Sequence, residues 1–500
     1  MTATTTTFTV ADMVDTVDIF ESYEGEAHLD HVSGTVVSGT IHIVQVHSAH
    51  IFGIFQETGG TLAGLAQRTP NEWTLHGTTL DGTSLESGPL TSLTAATVYR
   101  ASAAANLFYV ETKALHAILP HPDPSVRGTY RYTLTNFFFA WTATGYLRSR
   151  LSSSTVLETP VPERSFSTFV LRDPTSGISA NVVIRPRAGW DDAILRLRTR
   201  GRARVTSDVF IASTATSGDP LAPNVADDIM ERLVRVMSLG SGSRVQWITL
   251  TAPGPDGTTT ERLHVSRLTG GFSQIPLIRL DHAGDVVAFL VEGFVGYTQR
   301  RQQYRLDRTS DAYIGAREHF RDFMEQRALR LAVALEALRA ALSEHTKGQS
   351  EYVGDLTKAQ MKPLRAVLET AIRNALTQAG APPIRDDVAN TNKITNLFRK
   401  DFREQIVGLI GEIGMYPVSG TELTNFVASR NALVHRGMFD VQAKRGRQLS
   451  PIDLMSAIDA EFWADFHMLD RIFMGILGYR GKFRDARDVT GQTLTKVAYR

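Results

Sequence analysis

The chain has 500 residues, of which 21% are charged and 42% hydrophobic, so its length and composition predict roughly two to four globular domains. Its 53 Lys and Arg residues nearly balance its 52 Asp and Glu residues, which excludes a uniformly basic nucleic-acid coat protein and an acidic disordered chain. Cysteine is absent, which excludes disulfides, thiolate metal sites and cysteine nucleophiles and is consistent with a reducing cytosol.

The sequence shows no targeting or membrane-spanning segment. The N-terminal run MTATTTTFTV has neither the basic region nor the apolar region of a secretory signal. No window approaches the roughly 18 consecutive apolar residues that a transmembrane helix requires. We therefore expect a cytoplasmic protein with no membrane partner.

Residues 1–308 have the pattern of a β-rich region. Short runs of β-branched and aromatic residues alternate there with Gly, Pro, Asp and Asn, which favour turns. One helix interrupts the pattern, over Val225–Leu239, and a break at Pro160–Glu163 predicts two subdomains, residues 1–160 and 161–308. The predicted strands are Val36–Val46, Trp73–Leu75, Thr129–Thr135, Asn181–Ile184, Ile194–Leu197, Val245–Leu250 and Val286–Val291.

From residue 309 the apolar residues follow a helical period instead. Four leucines at 4-3-4 spacing line one face of a helix, and four more helical segments follow with short connections. Residues 309–500 therefore predict an all-α bundle, and the whole chain predicts an α+β multidomain fold with a β-rich N-terminal half. The leucines are Leu331, Leu335, Leu338 and Leu342; the later helices are Lys358–Ala379, Asn396–Ile413, Thr421–His435 and Ile452–Leu477.

The two halves differ slightly in charge. Residues 311–500 contain 27 Lys and Arg against 23 Asp and Glu, whereas the rest of the chain contains 26 against 29. Lys444, Arg445 and Arg447 form a short basic run after the fourth of these helices, close to Arg436. These four residues are candidate RNA contacts, and the simpler interpretation is a solubilising surface.

The helix at Thr421–His435 combines clear end signals with a charged residue on its apolar side. Ser419 and Glu422 have capping-box spacing, and Gly437 is placed as the C-terminal cap. Arg430 lies at the centre of the apolar arc, so it must pair with an acceptor or face a solvated cleft, because burying an unpaired guanidinium costs free energy. The arc consists of Leu423, Phe426, Val427, Leu433 and Val434.

Two further polar residues lie beside Arg430 on this helix. Asn431 and His435 are one helical turn apart, so a permanent cation, an amide and a titratable imidazole are directed toward one patch. The trio suits phosphodiester chemistry, because Arg binds phosphate oxygens and His transfers protons near neutral pH. Alternatively, Arg430 pairs with an acid of a neighbouring helix, while His435 stabilises the C-terminus of its own helix. Glu336 is a candidate for that acid, or else a local partner of Arg339.

The run RNALVHRG at Arg430–Gly437 resembles the Arg-x4-His motif of HEPN-domain ribonucleases, including the polar residue after the arginine. Its context also fits that family, since the motif lies in a C-terminal helical bundle ahead of a final long helix. Across most of its length the chain is similar to the ApeA-like antiphage defence family, in which a HEPN domain follows a β-rich region. The stretches that carry this wider similarity are Leu75–Gly82, Val32–Phe55 and Leu233–Trp247.

The resemblance implies a metal-independent endoribonuclease effector that works as a homodimer, with the motif helices of two protomers forming one cleft. It implies that His435 acts as general base or acid for attack of a ribose 2′-OH, that Arg430 stabilises the phosphorane charge, and that Asn431 positions the phosphate or His435. The implied substrate is single-stranded RNA or tRNA, with no cofactor and no metal. The β-rich half is implied to sense a phage-derived trigger or to restrain the nuclease.

Two functions of other classes stay open. A HEPN bundle can serve as a non-catalytic dimerisation scaffold, in which Arg430 and His435 are structural. It can also bind a nucleotide as a regulator, in which case Arg430 contacts the nucleotide and no RNA is cleaved.

Two other patterns have ordinary structural explanations. Five histidines fall within residues 28–50, but His42 and His47 differ in parity, so an unbroken strand directs them to opposite faces. We expect polar strand and loop positions there and no metal site. The glycines at 408, 411 and 414 lack the strand and the Lys-Ser/Thr of a phosphate-binding loop, so helix packing or helix termination explains them better. The five histidines are His28, His31, His42, His47 and His50.

Overall fold

The computed structural model divides the chain into two compact units, Met1–Val295 and Gly296–Arg500, and each is described separately. The residues described are 19–47, 49–59, 62, 69–95, 107–121, 128–137, 167–187, 192–193, 195–196, 204–214, 221–254, 258–264, 276–280, 282–318, 324–345, 356, 358–380, 401–416, 418–439, 441, 449–488 and 493–499.

The first unit is built on one antiparallel sheet of fourteen described strands. The strands are β1 (Ile19–His31), β2 (Val36–Val46), β3 (Ile51–Glu57), β4 (Trp73–Thr79, after a 3-10 turn at Pro70–Glu72), β5 (Ser84–Ser87), β6 (Leu90–Ala95), β7 (Leu107–Thr112), β8 (Ala114–Leu119), β9 (Tyr130–Thr135), β10 (Ser167–Arg172), β11 (Ser179–Pro186), β12 (Val205–Ser213), β13 (Gln246–Pro253) and β14 (Thr259–His264). Their order across the sheet is β10-β11-β12-β9-β13-β14-β8-β5-β4-β1-β2-β3-β7-β6.

Alternating side chains give this sheet its core. On β1, Leu29 is fully buried, and its opposite residue on β4, Leu75, is buried with it. The neighbouring pair, His28 and His76, projects to the other face. The strand predictions at Val36–Val46, Trp73–Leu75, Thr129–Thr135, Asn181–Ile184 and Val245–Leu250 are confirmed.

The sheet curls so that strands distant in its order contact each other. Gln45 on β2 donates from Nε2 to the carbonyl of Ile248 on β13 (2.9 Å) and accepts from Thr249 Oγ1 (3.1 Å). Tyr23 on β1 donates to Glu261 Oε2 on β14 (3.2 Å). The bonds of Gln45 join strands that are six positions apart in the sheet order, and the bond of Tyr23 joins strands four positions apart.

A helix packs on this sheet where the sequence predicts one. Helix α1 spans Pro223–Ser241, and its Glu231 accepts a 2.8 Å hydrogen bond from Trp247 Nε1. Arg232 of the same helix is 4% exposed and pairs with Asp173 (2.9 Å), so the buried guanidinium has its countercharge.

Two strand predictions are wrong. Val286–Val291 lies in helix α2, which spans Ala283–Arg300, because the buried positions 286, 289, 290, 294 and 297 follow a helical period. A short apolar run alone cannot distinguish a buried strand from a buried helix. At the predicted strand Ile194–Leu197, residues 195–196 are helical, and residues 194 and 197 lie outside the described part.

The second unit is predominantly helical. The helices are α3 (Leu306–Glu318), α4 (Met324–His345), α5 (Lys358–Gln378), α6 (Phe402–Glu412), α7 (Gly420–Arg436) and α8 (Pro451–Leu477); the strands are β15 (Met415–Tyr416), β16 (Lys482–Arg484), β17 (Leu494–Lys496) and β18 (Ala498–Tyr499). Helix α4 packs against α3, α6, α7 and α8, and the later half of α8 is almost wholly buried. Among the described residues of this unit, two short strand pairings accompany the helices, β15 with β18 and β16 with β17.

The α+β composition predicted from the sequence is confirmed, with the sheet in the N-terminal half and most helices in the C-terminal half. The boundaries at 160/161 and 308/309 stay predictions. Of the glycines in the 408–414 run, Gly414 has φ +66° directly after α6, as helix termination requires. Among the described residues, no helix combines the length and apolarity needed to cross a membrane.

Candidate functional site

Helix α7 carries the candidate site, and local signals fix both of its ends. Ser419 Oγ accepts a 3.0 Å bond from the backbone N–H of Glu422, as the capping pattern predicts. The Glu422 carboxylate pairs with Arg471 of α8 (2.8 Å) and does not complete the reciprocal half of the capping box. Gly437 ends the helix with φ +73°, and its N–H bonds to the carbonyl of Leu433.

Arg430 is buried inside the unit, with 6% of its surface exposed. Its Nη2 donates to Oε1 of Glu336 on α4, and its Nη1 donates to Oδ1 of Asn431 (2.7 Å). The Phe402 ring of α6 lies under the guanidinium, with 5.3 Å from Cζ to the ring centroid. The arginine is therefore held by a carboxylate, an amide and an aromatic face contributed by three helices.

Glu336 fulfils both of the roles that the sequence left open. One carboxylate oxygen accepts from Arg430, and the other accepts from Arg339 Nη1 at 3.1 Å. The Glu336 side chain is 35% exposed and that of Arg430 is 7% exposed. The ion pair thus lies at the boundary between the helix core and the surface, where its carboxylate stays accessible to solvent.

Asn431 and His435 are both exposed, whereas Arg430 behind them is buried. Asn431 accepts a hydrogen bond from Arg430 and lies one helical turn before His435, so the helix presents the three residues from its buried side to its exposed side. Within the described residues, the His435 ring makes no hydrogen bond or ion pair. Its imidazole is therefore accessible to solvent at the surface of α7.

The structure describes one of the four residues predicted to contact RNA. Arg436 is exposed at the last position of α7. Lys444, Arg445 and Arg447 lie outside the described residues. Phe402 is a contact of Arg430 that the sequence analysis missed. Its signal was the capping pair Asp401 and Glu404, which starts α6 and brings its first residue into the bundle.

Chemically, this arrangement provides a charged donor, an amide and a solvent-exposed imidazole on successive parts of one helix. A phosphate oxygen can replace the Asn431 carbonyl or the Glu336 carboxylate as an acceptor for Arg430, because all three are hydrogen-bond acceptors for a guanidinium. An incoming phosphate must therefore compete with an existing ion pair.

The histidine-rich segment, residues 28–50, makes ordinary polar contacts. No group of three His, Cys, Asp or Glu residues in the described ranges is arranged to hold a metal ion. The contacts are His28 Nε2 with Asp30 Oδ2 (3.6 Å), His31 Nε2 with Glu72 Oε2 (3.0 Å), His42 Nε2 with Ser22 Oγ (2.9 Å), His47 Nδ1 with the Val205 N–H (3.2 Å) and His50 Nε2 with Glu111 Oε1 (2.5 Å).

Comparisons of the chain with protein-family models, with curated proteins and with solved structures found no match.

Proposed function

We propose that this protein is a metal-independent endoribonuclease of the HEPN type that acts in bacterial antiphage defence. The observation that supports the proposal best is the placement of three residues on α7, in which buried Arg430 donates a hydrogen bond to Asn431 and exposed His435 lies one turn after Asn431. The resemblance of Arg430–Gly437 to the Arg-x4-His motif gives this placement its chemical interpretation.

In the proposed reaction, the neutral His435 imidazole removes the proton from a ribose 2′-OH. The oxygen attacks the adjacent phosphorus, the P–O5′ bond breaks, and a protonated group returns a proton to the leaving oxygen. Arg430 stabilises the extra negative charge on the phosphorane, and Asn431 orients the phosphate or the imidazole. The products are a 2′,3′-cyclic phosphate and a 5′-hydroxyl. Because the 2′-OH is the nucleophile, DNA is not a substrate.

The proposed enzyme is a homodimer in which two α7 helices face one composite cleft, with single-stranded RNA or tRNA as substrate. The solvent-exposed position of Asn431 and His435 leaves them available to a second copy. The first unit is proposed to sense a phage-derived trigger or to restrain cleavage. Cells that express the wild type or His435→Ala, challenged with a phage panel, test the defence role.

The cleavage test compares the wild type, Arg430→Ala and His435→Ala on single-stranded RNA and tRNA, with EDTA present. We expect each variant to lose about 100-fold or more in rate, the usual cost of removing a general base or an electrostatic donor. Arg339→Ala is the matched control, because it removes the other cation bound to Glu336 and leaves Arg430 in place. Equal rates in all four proteins contradict the assignment of this site.

A second candidate is a non-catalytic dimerisation scaffold, and the burial of Arg430 in its pair with Glu336 favours it. His435→Ala separates the two functions. His435 is exposed and its ring makes no hydrogen bond or ion pair with the described residues, so a scaffold keeps its stability and its phenotype without the imidazole. The nuclease keeps its stability and loses cleavage.

A third candidate is a nucleotide-binding regulator. This function predicts that the protein binds nucleotide saturably, that Arg430→Ala abolishes this binding, and that no RNA products form.

A further inference from the structure

Arg430 leaves one of its hydrogen-bond donors unused in this structure. Its Nη1 donates to Asn431 Oδ1 (2.7 Å) and its Nη2 donates to Glu336 Oε1. Its Nε is buried and has no hydrogen-bond acceptor among the described residues. The Nε–H and one Nη2–H lie on the same edge of the guanidinium plane, and such an edge binds two oxygens of one anion side by side. The Glu336 carboxylate therefore occupies one half of a two-donor edge.

Glu336 does not fill this edge, because its second oxygen is bound elsewhere. Oε2 accepts from Arg339 Nη1 at 3.1 Å, so the carboxylate is shared between two arginines and gives Arg430 a single oxygen. A phosphodiester has two non-bridging oxygens and can give both of them to one guanidinium. Arg430 thus has a countercharge and still lacks an acceptor for one buried donor, which costs free energy.

The surroundings of the ion pair allow an exchange of partners. The Arg430 side chain is 7% exposed and that of Glu336 is 35% exposed, so Glu336 can leave Arg430 without becoming a buried, unpaired carboxylate. The bond to Asn431 and the Phe402 ring, 5.3 Å from Cζ, do not depend on Glu336. They keep the guanidinium plane in place while its Nε–Nη2 edge changes partner.

We infer that the Nε–Nη2 edge of Arg430 is a phosphodiester-binding site and that Glu336 blocks it as an autoinhibitory contact. A phosphate of single-stranded RNA binds both donors and displaces the carboxylate, while Nη1 stays bound to Asn431. The inference rests on the proposed function in taking RNA as the ligand, and it adds the regulation of that site. The affinity for RNA is set by competition between the phosphate and Glu336, so loss of the Glu336 contact strengthens binding.

Fluorescence anisotropy of a labelled oligonucleotide tests the inference on the full-length protein. The probe is a short single-stranded RNA with 2′-O-methyl riboses, which lack the proposed nucleophile, so binding is measured without cleavage. Glu336→Gln removes the competing charge and keeps an acceptor for both arginines. Glu369→Gln is the matched control, because Glu369 is 31% exposed, pairs with Arg373 of its own helix at 3.0 Å, and changes the net charge by the same amount when it is replaced.

Two further variants separate the contact from folding defects and from a general effect of charge. Glu336→Asp keeps a countercharge near Arg430 but shortens the side chain by one methylene group, which weakens its reach to Nη2. The double variant Glu336→Gln with Arg430→Ala removes both the competing charge and the proposed site. Thermal unfolding of every variant ensures that affinities are compared between folded proteins.

We expect Glu336→Gln to bind the probe about tenfold more tightly than the wild type, the usual weight of one charge-assisted contact. Glu336→Asp should shift the affinity in the same direction by a smaller factor, and Glu369→Gln should stay within about twofold of the wild type. The gain should disappear when Arg430→Ala is added. Equal or weaker binding in Glu336→Gln overturns the inference, and if that variant does not fold, the same result in Glu336→Asp does so. A gain that Glu369→Gln matches, or that survives Arg430→Ala, also overturns it.

Cleavage of unmodified RNA by the same proteins is a separate readout. Tighter probe binding in Glu336→Gln, with no cleavage by any of the proteins, supports the phosphate site and contradicts the nuclease. Cleavage by the wild type, with unchanged probe binding in Glu336→Gln, contradicts the autoinhibitory contact and leaves the nuclease intact.

Discussion

Arg430 Nη2 donates a hydrogen bond to Glu336 Oε1 and thereby joins α7 to α4 across 94 residues of sequence. A guanidinium that is 6% exposed needs this countercharge, because a buried cation without a partner is costly. The same contact has opposite effects in the two candidate functions. It stabilises a scaffold, and in a nuclease it competes with the substrate phosphate for Arg430.

Removing this carboxylate should destabilise the helical unit measurably. Glu336→Ala leaves the buried Arg430 with the Asn431 carbonyl as its one remaining hydrogen-bond acceptor among the described residues, and we expect a loss of about 2 kcal/mol, since Glu336 is itself partly solvated. Thermal unfolding of the full-length protein measures the change. Arg339→Ala is the comparison and should cost below about 1 kcal/mol, because that arginine is exposed. Similar losses of stability in both variants would show that the ion pair of Glu336 with Arg430 contributes no more to stability than its ion pair with Arg339.

The C-terminal cap of α7 should control the order of the segment that carries His435. Gly437 has φ +73°, a conformation that costs an L-residue about 1 kcal/mol, although no atom lies within 4 Å of an added Cβ. Gly437→Ala should therefore speed amide hydrogen exchange in the last turn of α7, and Gly437→Asn should do so less. Unchanged exchange in the alanine variant would contradict this role of the cap.

A buried triad should dominate the stability of the second unit. Asp470 is fully buried and accepts from Tyr313 Oη and Arg317 Nη2, while Arg317 Nε donates to Tyr313 Oη at 2.7 Å. Burial raises the pKa of Tyr313 well above its usual value, so the phenol stays protonated and donates. Asp470→Asn removes the countercharge of Arg317 and should cost about 3–5 kcal/mol. Tyr313→Phe should cost about 1–2 kcal/mol.

Calorimetric unfolding of both variants beside Asp459→Asn checks the triad, because Asp459 is an acid of the same helix whose side chain is 43% exposed and whose ion pair with Arg327 is long, at 3.8 Å. The expected ranking of losses is Asp470→Asn, then Tyr313→Phe, then Asp459→Asn. A loss in Asp470→Asn no larger than that in the exposed control refutes the dominance of the triad.

Glu21 should make the stability of the first unit depend on pH. Burial, and then the charge of Glu261, raise the pKa of Glu21 from 4.5 to about 7, although two arginines oppose the shift. The folded state therefore holds a proton that the unfolded state releases between pH 4.5 and 7, so this contribution to stability falls as pH rises through that window. Glu21→Gln mimics the protonated form. Its stability relative to the wild type should rise from near zero at pH 4.5 to about 1–3 kcal/mol at pH 8.

Melting temperatures of wild type and Glu21→Gln between pH 4.5 and 8 check this dependence. Glu24→Gln, at an exposed position of the same strand, should follow the wild-type curve at every pH. A constant difference between Glu21→Gln and the wild type across the pH range rules out a raised pKa.

The features that could be predicted from the sequence are those that depend on residues close together along the chain. The ends of α7 follow from Ser419 and Gly437, whose preferences act within one helical turn. The choice between Arg430 and Arg339 as the partner of Glu336 could not be made from spacing, and the structure gives Glu336 both partners. Phe402 was missed because its contact with Arg430 depends on how α6 and α7 pack.

The strand order and the curl of the sheet could not be predicted from the sequence, because they also depend on how distant elements pack. The hydrogen bond between Thr249 and Gln45 joins positions 204 residues apart, and no local pattern specifies such a partner. The error at Val286–Val291 has a different origin, since six consecutive apolar residues fit a buried strand and a buried helix equally well. Only the longer spacing that includes Phe294 and Tyr297 distinguishes the two.

The strand order of the fourteen-stranded sheet limits where the chain can be truncated to obtain a folded fragment. Strand β9 pairs with β12 on one side and β13 on the other, and β8 pairs with β14. A fragment that stops at residue 160 keeps β8 and β9 but loses all three of those neighbours. Its exposed backbone edges invite pairing between molecules, so insoluble material from such a fragment would reflect missing strands and not a defect of the N-terminal sequence.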